Sequence, residues 1–438
     1  MNQNRPHVVI LGGGFAGLAA AKSLKAAPVK ITLVDRQNHH LFQPLLYQVA
    51  TAGLAAPDIA QPLRHIFSRQ ANLTTIMDEA VRLDLPRNQV ELARGRMLEY
   101  DYLIIGLGVR TGYFGNDQWK PYTLGLKSLD EATYLKRRIL QTFERAETVR
   151  DTAKWSKLLS FVIVGGGPTG VETAGALAEL SKRIMAHDFR RINPALTHIH
   201  LVEAGPRLLP MFSESQSEYV RAQLTRMGVT VHLSAPVSEV GDAYVVAGDL
   251  RIESENIVWA AGVEGHPLVR NIPGIELNRA GRVLVQDDLS LSAYPNTFVA
   301  GDLAFVQREG ASPVPCVAPA ATQMGRHAGL QIIRKIAEKE TKAFSYFDKG
   351  SMATIGRSSA VTAAAGIRTR GFLAWLMWLV IHLLFLMGFR NKIGVFITWV
   401  WSYLTWNRGA RIITGLNYES ADAASDSVLS AAQSITDQ

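Results

Sequence analysis

Apolar residues along the 438-residue chain gather into short unbroken runs, and two of these runs lead into the same arrangement of glycines. Val8-Val9-Ile10-Leu11 runs into Gly12-Gly13-Gly14-Phe15-Ala16-Gly17, and Phe161-Val162-Ile163-Val164 runs into Gly165-Gly166-Gly167-Pro168-Thr169-Gly170. Each run predicts a strand, and the stretches beyond, Leu18–Lys25 and Val171–Leu180, predict helices. A second strand follows each helix. Val29–Val34 ends at Asp35; His198–Val202 ends at Glu203, after a longer helical insert containing Lys182 to Asn193. A third apolar run, Thr297–Ala300, is followed by Gly301 and Asp302, while Tyr102–Gly108 and Ile257–Gly262 read as strand-then-glycine joints between domains. The internal repeat therefore predicts an α/β protein with two Rossmann-like dinucleotide-binding domains.

Strand, G-x-G-x-x-G, helix, strand and terminal carboxylate in that order are far more specific than the glycine motif alone. The first glycine (Gly12, Gly165) permits a tight turn, and the second (Gly14, Gly167) lets the backbone approach a diphosphate. The third (Gly17, Gly170) lets helix and strand pack closely. Phe15 lies within the first glycine motif and is counted with the cofactor-binding residues, and the unpaired N–H groups at the helix N-terminus suit a diphosphate. Asp35 and Glu203 are placed to accept ribose hydroxyls and to repel a 2′-phosphate, which favours FAD- or NAD-type ribose; Arg207 nearby leaves strict NADH preference open.

Charge adds a third region. The formal net charge is +8. From Lys349 to Tyr418 there is no Asp or Glu, and that stretch holds Lys349, Arg357, Arg368, Arg370, Arg390, Lys392, Arg408 and Arg411 together with five of the eight Trp. Basic residues attract anionic headgroups and Trp favours the interface between water and hydrocarbon. Apolar runs between the basic residues argue against nucleic acid as the partner. Gly371–Phe389 is uncharged apart from His382 and reaches spanning length, whereas Ile393–Trp406 is too short to span. A single span followed by a short buried helix is one arrangement, but basic residues flank both runs and give no inside-outside asymmetry, which argues against it. Cys316 is the only cysteine, which excludes an internal disulfide and a CxxC pair and suits a reducing compartment. Met1–Pro6 shows no secretory-leader pattern. No metal-ligand cluster or Ser/His/Asp arrangement stands out, and Ser420–Gln438 is expected to be a disordered tail.

Several segments resemble the type II NADH dehydrogenases, the single-subunit, non-proton-pumping NADH:quinone oxidoreductases of the two-dinucleotide flavoprotein superfamily. They are Asn38–Ala50, Gly165–Glu172, the Thr297–Ala304 segment with its A-G-D, Cys316–Gln323, Tyr346–Gly356 and the Trp-rich C-terminal region. The resemblance implies FAD in the first fold, with Asp302 at its ribityl and diphosphate region, and NADH in the second. It implies a split FAD domain (1–126 and 281–345), an NADH domain (127–280), a membrane-anchoring segment (346–418) and the tail (419–438). It places Glu172 near flavin and nicotinamide, Gln323 at the quinone, Lys349 near the isoalloxazine and Gly262 at a domain joint. It also implies monotopic attachment at the cytoplasmic face of the cell membrane, with the C-terminal helices dipping into one leaflet rather than crossing, and the apolar surface suits a homodimer. Where the family often shows A-Q-x-A-x-Q, this chain has Ala318-Pro319-Ala320-Ala321-Thr322-Gln323, so the first glutamine is Pro319. An NADH reductase of a small electron carrier and a redox-sensing binding protein stay open as alternatives.

Overall fold

The computed structural model describes residues 5–307, 310, 312–364, 366–406 and 408–415; the expected tail lies outside them. Five parallel strands form the first sheet, in the order Thr297–Val299, Tyr102–Ile105, His7–Leu11, Lys30–Asp35, Leu73–Met77. Its edge strand Thr297–Val299 comes from far later in the chain. Four parallel strands form the second sheet, Val229–His232, His198–Val202, Ser160–Val164, Asn256–Trp259. His7–Leu11 and Ser160–Val164 are interior strands of these sheets, covered on both faces, which is why they read as unbroken apolar runs. Directly after the two strand-then-glycine joints, Val109–Thr111 pairs antiparallel with Val263–Gly265 and ties the two sheets together.

Both helices after the glycine turns start earlier than predicted, at Phe15 and Pro168, because the turn itself opens the helix. Pro168 sits in the first turn, where its missing N–H costs nothing. The expected helical insert over Lys182–Asn193 is not a helix: a π turn covers Leu180–Ile184 and the chain then leaves the helical path. The Glu147 carboxylate accepts the backbone amides of Arg190, Arg191 and Ile192, supplying from outside the hydrogen bonds a helical ladder would have made.

The C-terminal region is a three-stranded antiparallel sheet (Ser351–Gly356, Ser359–Ala364, Ile367–Gly371) followed by helices Phe372–Phe385 and Phe389–Thr405. The apolar run Gly371–Phe389 does not form one helix, which corrects the spanning alternative. Leu386 takes extended backbone and Gly388 a positive φ of 81°, so the chain turns. The 14-residue helix is about 21 Å long, short of the roughly 30 Å hydrocarbon core. No described helix is long and apolar enough to cross a membrane. Three of the five Trp read as interface residues are interior instead: Trp375, Trp378 and Trp399 pack into the core that also holds the second sheet. Trp401 and Trp406 lie at the surface.

Candidate active site

The two glycine turns are superimposable in their contacts. A Cβ on Gly12 would meet the Gly106 carbonyl oxygen at 2.3 Å, and one on Gly165 would meet Ala260 backbone at 2.9 Å; both residues have positive φ, 96° and 112°. A Cβ on Gly17 or Gly170 would lie 1.8 Å from the carbonyl oxygen of Gly12 or Gly165. Gly14 and Gly167 alone in each triplet face open space, at the N-cap of a helix without a side-chain cap or an acidic residue in its first turn. Free N–H groups beside an unfilled approach are what a diphosphate requires, so the residues fit a dinucleotide at each turn.

The strand-end carboxylates brace the turns. Asp35 accepts the amides of Gly13 (2.6 Å) and Gln37 (2.7 Å), and Glu203 accepts those of Gly166 (2.5 Å) and Gly205 (2.7 Å). Burial pushes the Asp35 carboxyl above its usual range, and the two amides oppose that shift. Arg207 is held by the Pro210 carbonyl at 2.9 Å. One support was not legible in the sequence: His40 reaches Gly13, with Nδ1 2.9 Å from its carbonyl oxygen, and packs edge-on against Phe15. Burial lowers this imidazole to about 4, which keeps it neutral and able to donate that proton.

The A-G-D loop lies beside the first turn. Gly301 has φ 82°, and a Cβ there would meet that of Ala16 at 3.1 Å. Asp302 is mostly buried and its carboxyl is pushed up by burial, against the pull of Lys127 and Arg282. Arg282 is itself buried and donates to the carbonyls of Asp302 (2.7 Å) and Ala304 (2.6 Å), so it shapes this loop. Cys316 packs its sulfur 3.9 Å from the Asp302 carbonyl oxygen, and burial raises its thiol pKa. Gly262 (φ 72°) abuts Phe114 and the Gly112 carbonyl at the joint between the sheets.

Glu172 lies in the second turn of its helix. The helix begins at Pro168 and has no acidic residue in its first turn, so the positive helix end does not explain this carboxylate. It is 8% exposed and accepts the Thr354 amide at 3.3 Å. Burial raises its pKa to about 8; the Thr354 amide and the nearby Trp378 indole oppose that shift. The indole N–H does not reach hydrogen-bond geometry. At neutral pH Glu172 therefore carries a proton.

Gln323 and Lys349 form another group. The Gln323 amide donates to the Phe347 carbonyl (2.9 Å) and accepts the Phe347 amide (3.0 Å), clamping the irregular segment two residues before Lys349. Lys349 is exposed, with its Nζ 5.2 Å from the Phe385 ring centroid at the end of the first C-terminal helix. Pro319 occupies the first turn of helix Ala318–Ile336, where proline fits the backbone.

Two glycine turns of matching geometry on two parallel sheets define an oxidoreductase of the two-dinucleotide class. The pyridine nucleotide-disulphide oxidoreductase family matches residues 6–325. The type II NADH:quinone oxidoreductases Ndh and NdhA of Mycobacterium tuberculosis are each 42% identical, covering 94% of this chain and 90% of theirs. Among solved structures, NDH2 of Plasmodium falciparum in complex with NADH superposes with a TM-score of 0.85 at 18% identity, over 94% of this chain and 100% of that one. Sulfide:quinone oxidoreductase of Aquifex aeolicus superposes at 0.70 with 18% identity, over 91% and 95%. The chain belongs to the pyridine nucleotide-disulphide oxidoreductases and, within them, to the type II NADH:quinone oxidoreductases.

Proposed function

We propose that this chain oxidises NADH and reduces quinone at a membrane surface through bound FAD, without pumping protons. The single observation that carries the reading is the repeated glycine turn, open only at Gly14 and Gly167, in a chain 42% identical to named NADH:quinone oxidoreductases. Bound FAD supplies acceptance of hydride from NADH and return of two electrons to quinone.

The chain's own residues bind and orient. Gly12, Gly14, Phe15 and Gly17 form the FAD diphosphate seat; Gly165, Gly167 and Gly170 form that of NADH. Asp35 and Glu203 hold the turns through backbone amides, and a carboxylate has lone pairs left for ribose hydroxyls. Gly301 and Asp302 border the flavin's ribityl side, and Gly262 keeps the joint close. Glu172, protonated at neutral pH, gives a proton towards the quinone oxygen. Gln323 fixes the backbone ahead of Lys349, and the lysine charge stabilises negative charge developing beside it.

Attachment to lipid is supported by the outward faces of the last two helices. Leu373, Val380, Leu384, Phe389, Phe396 and Leu404 are all exposed. An apolar stripe of this kind suits a helix lying in one leaflet, and the neighbouring basic residues suit the anionic cytoplasmic face of a cell membrane. The same surface supports pairing of two copies, which sedimentation in detergent tests. The function is tested by stopped-flow mixing of purified protein with NADH, then with ubiquinone and menaquinone analogues. Loss of flavin absorbance with NADH and its recovery with a quinone are expected; colourless protein that refuses added FAD sinks the reading.

A further inference from the structure

A cavity of about 50 Å³ runs between helix Pro168–Glu179, strand Ser351–Gly356 and the last helix. Glu172, Ala176 and Glu179 line it from one face of their helix. At 1.5 Å per residue Glu179 lies about 10 Å beyond Glu172 along the axis. Trp378, Ser402 and Tyr403 form much of the opposite wall. The lining is more apolar than polar, yet Glu172, Glu179, Ser402, Tyr403 and Arg408 offer polar partners, so a space of this size suits a few waters rather than a quinone ring.

At its outer end stands an ion pair. Glu179 Oε2 lies 2.9 Å from Arg408 Nη2, with side chains only 13% and 9% exposed. The other Glu179 oxygen accepts the Arg357 amide. Arg408 Nη1 donates to the carbonyls of Thr51 (2.9 Å) and Ala176 (3.3 Å), so the guanidinium is locked. The Arg357 guanidinium rests on Trp406 at 4.0 Å and Tyr403 at 5.2 Å. The other titratable groups facing this space are Tyr47 and Tyr403, with His382 stacked behind Trp378.

We propose that this water-sized cavity is the route by which a solvent proton reaches Glu172, with Glu179 as the carboxylate at its outer end and Arg408 as the residue that positions it. The proposal rests on the reading of Glu172 as proton donor to quinone. Hydride from NADH brings two electrons and one proton, so the quinol draws its second proton from solvent. The Glu172 O–H bond breaks as an O–H bond forms on the quinone oxygen. The carboxylate left behind takes up a proton passed through the waters from the Glu179 end. A charged Glu172 in this buried position is costly, so reprotonation has to keep pace with turnover. Arg408 does not carry the proton, because a guanidinium does not release one. Its charge matters instead: without Glu179, Arg408 and Arg357 are two uncompensated cations at the mouth and repel an entering proton.

The test uses FAD-loaded full-length enzyme and the ratio of quinone-linked to ferricyanide-linked NADH oxidation, since ferricyanide takes electrons without a proton. Glu179→Gln should lower that ratio by roughly tenfold, because it leaves the Arg408 and Arg357 charges uncompensated at the mouth, and enlarge the solvent deuterium isotope effect on quinone reduction. The double variant Glu179→Gln with Arg408→Gln removes the stranded cation and should recover much of the ratio. Ser402→Leu plugs the cavity and should lower the ratio with ferricyanide reduction unchanged; it carries the test if Glu179→Gln fails to fold. Independently of rate, the infrared band of the protonated Glu172 carboxyl, identified by its absence in Glu172→Gln, should recover more slowly after one turnover in Glu179→Gln. If Glu172→Gln lowers the ratio but Glu179→Gln and Ser402→Leu leave ratio and band recovery untouched, the route is wrong. If Glu172→Gln itself leaves the ratio untouched, the donor reading beneath it fails.

Discussion

The backbone amide of Thr354 donates to the Glu172 carboxyl across 3.3 Å, joining positions 182 residues apart. This contact ties the helix after the second glycine turn to the sheet that carries the exposed apolar helices. The buried acid is thus set by two parts of the chain at once.

Because Glu172 titrates near 8, quinone-linked turnover should fall as pH rises through about 8, where the acid loses its proton. Glu172→Gln should lower turnover and abolish that limb while FAD content stays normal. Stability follows the same group. Its folded pKa lies above the unfolded value near 4.5, so the folded state binds more protons and loses stability as pH rises from about 4.5 to 8, by up to roughly 4–5 kcal/mol. Unfolding midpoints at pH 6 and 9 should therefore differ more for the parent chain than for Glu172→Gln; equal differences would refute the assignment.

Gly14 and Gly17 should respond in opposite ways to a side chain. Gly14→Val points into open space with an ordinary extended φ of −70°. It should keep the fold and lose FAD, read as flavin absorbance per protein against an unchanged circular dichroism spectrum. Gly17→Ala drives a methyl to 1.8 Å from the Gly12 carbonyl oxygen, an overpacking that should cost about 2–4 kcal/mol of stability.

Glu203→Ala removes the acceptor for the Gly166 and Gly205 amides. Each hydrogen bond to a charged group is worth about 1.5–3 kcal/mol, so KM for NADH should rise roughly ten- to a hundredfold. Turnover with ferricyanide at saturating NADH should change much less, and an unchanged KM would remove Glu203 from the NADH site.

Membrane attachment should yield to point charges on the exposed stripe. Truncation at Ala365 removes Trp375, Trp378 and Trp399 from the shared core and would unfold more than the anchor. Phe396→Glu with Leu404→Glu leaves the core intact and should release the protein from anionic vesicles in flotation, while ferricyanide reduction persists. Undiminished flotation would place the lipid contact elsewhere.

Glycine turns, interior strands and the carboxylates at Asp35 and Glu203 were legible in the sequence because local rules fix them: a turn without room for Cβ, a buried strand, a strand end. The lone Cys316 and the acid-free C-terminal stretch were equally plain. What sequence could not give was every contact between distant segments. Thr354 on Glu172, His40 beneath Gly13, Arg282 on the A-G-D loop and the Glu179–Arg408 pair join residues with no shared local pattern. The Trp cluster shows the same division. Composition placed five Trp in one region, but only packing of the C-terminal helices on the antiparallel sheet before them and on each other decided that three turn inward, because burial of a side chain depends on what stands opposite it.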